Sequence, residues 1–263
     1  MNRKKISLVL GSGGARGITQ IGVINWLIEH EFEIDEVVGC SIGSLVGAAF
    51  AEGRIHELGE WMSKLTKREV FRLMDFGDPR YGFLKGQRVL NTLQEVFEDV
   101  PIENMKINYA AVATDLVNEE EVVFRNGSVY HAIRASIAIP GVFKSVNTGS
   151  QFLVDGGVLN PLPINYVRHR ENIIVAVNLD GPPLLKTPIA YEKLNAISLL
   201  QESYFAMRRK LTQLNIDLYK PNYTVHIPHN ISGIWDFDRS KELIDTGYQF
   251  AEEQLAGLLN GKK

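Results

Sequence analysis

Two rhythms of apolar residues alternate along the chain. Ile6-Ser-Leu-Val-Leu10 is a short, nearly continuous apolar run that ends in a glycine-rich turn, the pattern of a buried strand. From Gly17 onward Ile18, Ile21, Ile24, Leu27 and Ile28 fall at helical spacing. Residues 36–40 read as a second strand and 42–52 as a second helix rich in small residues. Residues 55–98 read mostly as helix, broken by the turn formers between Gly77 and Gly86. Strands are predicted at 108–114, 121–124, 151–154, 172–178 and 223–227, with helices at 128–136, 191–218 and 238–259. This alternation predicts a three-layer α/β/α sandwich around a mainly parallel sheet. No repeat, low-complexity tract or linker divides the chain, so residues 1–263 read as one domain. The proline-marked stretch 180–188 reads as one long loop.

Composition closes off several functions. A chain of 263 residues, 45% of them hydrophobic and 22% charged, can bury a full core. Its 28 Lys and Arg against 31 Asp and Glu give a net charge of −3, which offers nucleic acid no electrostatic footprint. The basic clusters Arg3-Lys4-Lys5 and Arg208-Arg209-Lys210 read as solvated faces. The single cysteine, Cys40, excludes an intrachain disulfide, suits a reducing compartment and reads as buried filler. The basic N-terminus followed by apolar residues imitates a signal peptide, but the apolar stretch stops at Gly11. No apolar run approaches the ~20 residues that span a bilayer. The expectation is a cytoplasmic protein without a membrane anchor.

Three segments could carry chemistry. Gly11-Ser-Gly-Gly-Ala-Arg-Gly17 lies between a strand and a helix, where backbone N–H groups stabilise negative charge. It lacks the Gly-Lys-Ser/Thr of a P-loop. It also fails the dinucleotide pattern, since Arg16 stands at a required glycine and no acid ends the second strand. An oxyanion hole or a tight turn without ligand remains. Gly39-Cys-Ser-Ile-Gly43 is a G-x-S-x-G between a strand and a helix, the setting of a nucleophile elbow. Gln151-Phe-Leu-Val-Asp-Gly-Gly157 places Asp155 at a strand end, within reach of a neighbouring strand end in a parallel sheet. In isolation the Asp-Gly-Gly reads better as a simple turn.

An elbow serine needs a base. The six histidines are His30, His56, His131, His169, His226 and His229, and none occupies a glycine-marked loop after a strand. His226 and His229 come nearest, and a strand-end role suits them better. The α/β-hydrolase order is also unsuitable, because few strands can precede Ser41. No His-Glu-x-x-His occurs and Cys40 has no ligand-spaced partner, so no metal is expected.

Taken together, the three segments resemble the patatin-like phospholipases, particularly the bacterial ones. That family carries a G-G-G-x-R/K-G loop, a G-x-S-x-G elbow and a D-G-G/A aspartate in this order. Ala135-Ser-Ile-Ala-Ile-Pro-Gly-Val-Phe143 and Tyr81-Gly-Phe-Leu-Lys-Gly86 add to the likeness, which covers residues 6–168 well and 169–263 loosely. The family's first loop glycine falls on Ser12, while Gly13, Gly14, Arg16 and Gly17 are kept. The resemblance implies that Ser41 is a nucleophile and Asp155 its direct base. It places the Gly13, Gly14 and Ala15 amides in an oxyanion hole, with Gly11, Arg16, Gly17, Gly39, Gly43, Gly156 and Gly157 supporting the motifs. It implies hydrolysis of lipid carboxylic esters through an acyl-enzyme, without metal or cofactor. A thioesterase, a histidine-dependent esterase and a non-catalytic lipid-binding scaffold are the alternatives. The expected partner is a lipid or acyl ester, and transient membrane-surface contact and a homo-oligomer are compatible with it.

Three residue groups are less determined. Arg16 either braces its loop or meets an anionic head group, and bracing is favoured because a glycine loop needs fixing. Residues 71–86 mix large apolar side chains with turn formers and are the candidate lid. Tyr204, Phe205 and Met207, with Leu199, Leu200 and Leu211, are expected as a core stripe, with an acyl channel or dimer face as alternatives.

Overall fold

Apolar runs that are buried on both faces pair side by side as parallel strands. The structure, a computed structural model, describes residues 5–77, 83–184 and 195–260. Strand β1 (Lys5–Leu10) is followed by a 3₁₀ turn at Gly14–Ile18 and helix α1 (Thr19–Glu29). Strand β2 (Glu33–Cys40) runs into helix α2 (Ile42–Ala51). Three short helices follow: α3 (Ile55–Ser63), α4 (Lys67–Leu73) and α5 (Gln87–Leu93). Then come β3 (Asn108–Asp115), β4 (Glu120–Phe124), α6 (Val129–Ser136), β5 (Val146–Asn147) and β6 (Phe152–Asp155). β7 (Ile173–Gly181), α7 (Ala196–Tyr219), β8 (Tyr223–Pro228) and α8 (Ser240–Asn260) complete the described chain.

The strands form one sheet in the order β5-β6-β3-β2-β1-β7-β8, with β4 also pairing β3. β1, β2, β3, β7 and β8 are mutually parallel, whereas β4 and β6 run antiparallel to β3. Alternate side chains serve opposite faces. Leu8, Leu10, Val37, Val175 and Val177 join the larger core under α1, α2, α3 and α8. Val9, Val38, Ala110, Val112 and Ala176 join a smaller one with Leu162, Ile164 and Ile216 of α7. No described helix is long and apolar enough to cross a membrane.

Helices α1 and α8 cross backbone to backbone. A Cβ on Gly247 would stand 1.9 Å from the Thr19 carbonyl oxygen, and one on Gly22 2.0 Å from that of Ile244. Neither oxygen can move without shifting its helix. Gly247→Ala is expected to force the pair apart and destabilise the fold by about 2–3 kcal/mol. Urea unfolding measures this as a lower midpoint, and an unchanged midpoint would contradict the close crossing.

Several details differ from the sequence expectations. The strand that ends in Asp155 is antiparallel to its neighbour, because β6 pairs with the part of β3 that projects past β2. The two-residue strand β5 is too short to show a period. Of the expected stripe on α7, Tyr204, Phe205 and Leu211 are half-buried while Leu199, Leu200 and Met207 are exposed, and Arg208 and Thr212 are its buried positions among the described residues. Parts of three expectations, namely residues 78–82 of the candidate lid, 185–188 of the long loop and 191–194 of the seventh helix, lie outside the described residues.

Candidate active site

β2 delivers Ser41 to the C-terminal edge of the sheet. Its backbone there has φ 55° and ψ −126°, a conformation that a residue with a side chain adopts only at a cost of about 1–3 kcal/mol. The turn is held by its surroundings. The Ser41 N–H donates to Ser136 Oγ at 2.8 Å, and that hydroxyl donates to the Val112 carbonyl at 2.6 Å. The Ser41 carbonyl accepts from Ser44 N at 2.8 Å and Ser44 Oγ at 2.6 Å. Ser136, the last residue of α6, was not singled out from sequence, although it lies inside the family-like 135–143 segment.

Register brings Asp155 to the serine. Cys40 pairs with Val112 on β3, and the next β3 residue, Ala113, pairs with Asp155. Ser41 Oγ donates a hydrogen bond to Asp155 Oδ2, and Gly157 N–H donates to Oδ1 at 2.7 Å. Burial pushes the Asp155 carboxyl from 3.8 up to about 6, against the pull of these hydrogen bonds and of the Arg208 cation. The neighbouring Cys40 thiol is raised by its own burial and then by Asp155, so it stays protonated. The histidine ring contacts lie elsewhere: His169 at Glu171, His226 at Asn178 and His229 at the Gly181 carbonyl.

The glycine loop is pinned at three amides. Gly11 N–H donates to Val177 O at 3.2 Å, Ser12 N–H to Pro161 O at 2.9 Å and Ala15 N–H to Ile234 O at 3.1 Å. The Ala15 amide is therefore engaged by the protein, which departs from the expectation of three free donors. Gly13 and Gly14 N–H have no acceptor among the described residues. Gly14 takes φ +59°, and Gly17 packs against Ile42 beside the elbow. The 231–237 segment that closes over the loop was not anticipated. Its signal was an isolated Gly-Ile-Trp between a strand and a helix.

A buried charge cluster backs this loop. Arg208 on α7 donates from Nη2 to Asp180 Oδ1 at 2.5 Å and from Nη1 to Ser12 Oγ at 3.3 Å. Arg16 lies 3.9 Å from the same Asp180 oxygen, and burial followed by repulsion from Arg208 lowers its pKa to about 10. For Arg208 burial opposes the charge, but Asp180 holds its pKa above the ordinary value. Arg16 is buried behind the loop with Asp180 as its ion-pair partner among the described residues, and Arg208, expected on a solvated face, is buried as well. Ser12 is one of the anchors for Arg208, which gives this departure from the family glycine a structural use. Arg208→Met should leave Asp155 without its nearby cation, moving the acid limb of any ester hydrolysis to higher pH. A pH–rate profile with an unmoved limb would contradict that coupling.

Ser41 opens onto an apolar cleft. Its walls include Ile42, Leu45, Met62, Leu73, Ile139 and Phe143, together with Ile234, Trp235 and Phe237 from the 231–237 segment. The cleft is a cavity of ≈ 120 Å³ that opens to solvent. Among the described residues no group of three or more His, Cys, Asp or Glu is arranged to hold a metal ion. A serine hydroxyl bonded to a buried carboxylate, beside unpaired loop amides and an apolar wall, is suited to attack on the carbonyl of a hydrophobic ester.

Comparison with known proteins agrees with this geometry. The chain is 40% identical over 178 residues to an uncharacterized NTE family protein of Mycobacterium tuberculosis, covering 67% of this chain and 49% of that protein. It thus spans about half the length of the first curated relatives it matches. It is 31% identical over 196 residues to the lysophospholipase NTE1 of Candida albicans, covering 73% of this chain and 14% of that protein. Among solved structures, VipD from Legionella pneumophila superimposes with a TM-score of 0.53 at 14% identity, covering 99% of this chain and 67% of that one, a likeness of fold. The family model described as patatin-like phospholipase matches residues 8–168, which include Ser41, Asp155 and the glycine loop. The chain belongs to the patatin-like phospholipase family.

Proposed function

We propose that the protein is a serine acyl hydrolase that cleaves carboxylic esters of lipids, of the phospholipase A, lysophospholipase or esterase type, through a Ser41–Asp155 dyad. The hydrogen bond from Ser41 Oγ to buried Asp155 Oδ2 at the floor of an apolar cleft carries this reading. Asp155 takes the hydroxyl proton while Ser41 Oγ bonds to the ester carbonyl carbon. The resulting oxyanion is met by the Gly13 and Gly14 amides, each worth about 3–4 kcal/mol by comparison with other oxyanion holes. Collapse breaks the bond to the alcohol, which leaves with the proton from Asp155. Water then attacks the acyl-enzyme, gives a proton to Asp155 and releases the fatty acid as Ser41 regains its hydrogen. Raising the carboxyl to about 6 brings its basicity closer to neutral pH than an ordinary aspartate allows.

The apolar cleft takes the acyl chain in this mechanism. Hydrolysis of p-nitrophenyl esters is expected to improve as the chain lengthens from acetate to the length that fills the cleft. His226→Ala and His229→Ala should each keep activity within about twofold of the wild type, a change of less than ~0.5 kcal/mol. No hydrolysis of any ester, or loss in either histidine variant, would overturn the proposal.

A further inference from the structure

The mouth of the cleft carries a second feature that catalysis does not use. Helix α4 has two faces. Val70 and Leu73, with Met74 just beyond the helix, line the cleft, while Lys67, Arg68, Phe71 and Arg72 are exposed. Beyond α4, Phe76 and Phe83 flank a hairpin stem closed by Gly77 N–H to Phe83 O at 2.9 Å and Lys85 N–H to Asp75 O at 2.8 Å. Phe71, Phe76 and Phe83 are each about 60% exposed, and the Phe71 and Phe76 rings lie 5.9 Å apart. Three large aromatics held in water around one opening form a patch rather than scattered surface residues.

Along the described part of residues 64–88 the exposed charges are mostly cationic. Lys64, Lys67, Arg68, Arg72, Lys85 and Arg88 are all exposed. The two described carboxylates on this stretch have internal partners. Glu69 closes a capping box with Thr66, and buried Asp75 accepts from the Gly86, Gln87 and Arg88 amides. Asp236 and Glu242 share Arg239, and Asp238 in the Phe237–Arg239 turn against α4 adds one acid beside the six cations. A chain of net charge −3 therefore concentrates cations where its apolar cleft opens. Aromatics that enter acyl chains, ringed by cations that meet phosphates, match an anionic bilayer surface. Pairing with a second copy through this face would oppose like charges.

We propose that the outer face of α4 and the adjoining hairpin stem dock the protein on an anionic lipid surface, with the cleft opening toward the membrane. This rests on the acyl hydrolase reading for what enters the cleft, though docking itself is tested separately. Co-sedimentation of the full chain with phosphatidylcholine vesicles, with and without phosphatidylglycerol, reads it directly. Binding should require phosphatidylglycerol and weaken with salt. Lys67→Glu/Arg68→Glu should bind at least about 20-fold more weakly, and Phe71→Ser should also weaken binding. The two acidic replacements lie in the first turn of α4, where the helix dipole favours them, so the fold should persist. Hydrolysis of a soluble short-chain ester should be unchanged in the double variant. Equal binding to both vesicle types, wild-type binding by the double variant, or self-association without vesicle binding would overturn the docking proposal. Phosphatidylglycerol-dependent binding by a wild type inactive on every ester would overturn the hydrolase reading and leave docking standing.

Discussion

Asp155→Asn is expected to lower ester hydrolysis about 10³-fold while making the folded protein more stable at neutral pH. The amide can keep both contacts, its oxygen accepting from Gly157 N–H and its NH₂ donating to Ser41 Oγ, so the site's shape should survive. What disappears is the group that takes the serine proton. The stability change follows from burial. Between 3.8 and about 6 the unfolded chain has released a proton that folded Asp155 still holds, so stability falls as pH rises through that window. About two pKa units correspond to about 3 kcal/mol, an upper bound for this buried group. The variant should therefore gain about 1–3 kcal/mol above pH ~7 and nothing below pH ~4. In the wild type, kcat/KM should rise as pH passes about 6, where the carboxylate forms. Retained activity in the variant, or a loss of stability at neutral pH, would contradict this role for Asp155.

Gly43→Ala is expected to cost about 10²-fold in kcat with the protein still folded. A Cβ there would lie 2.3 Å from the Leu10 carbonyl oxygen and 2.8 Å from that of Gly11. Both belong to the strand end from which the glycine loop departs. Relief requires the elbow and the loop to separate, which carries Ser41 away from the Gly13 and Gly14 amides. The geometric loss should fall on kcat more than on KM, because the apolar wall that holds an acyl chain is not touched. Unchanged kcat with a native circular dichroism spectrum would contradict the need for this close approach.

Local patterns carried much of this account. The strand–turn–helix at Gly39–Gly43 and the glycine loop after β1 are contiguous, so spacing marks them as candidates and the family resemblance supplies their expected roles. Asp155 was legible as a candidate, but the antiparallel pairing that positions it was not. That pairing depends on how far β3 projects beyond β2, a property of the assembled sheet. The burial of Arg208 against Asp180 is not legible in sequence for the same reason. Each is an ordinary polar residue in its own segment, and their meaning arises when α7 crosses the loop that contains Ser12. The pattern on α7 holds in part: Tyr204, Phe205 and Leu211 are half-buried, but Leu199, Leu200 and Met207 face water and Arg208 and Thr212 take the buried positions. Net charge also concealed the cations gathered on α4 and the adjoining stem, because a sum over the chain has no address.

In the proposed mechanism Ser41 is the nucleophile and Asp155 activates it. Labelling with a serine-reactive fluorophosphonate, followed by mass spectrometry of peptides, tests this most directly. A single adduct on Ser41 is expected in the wild type, with severely slowed labelling in Asp155→Asn. An adduct on any other serine, or labelling of Ser41 at the wild-type rate in Asp155→Asn, would contradict it.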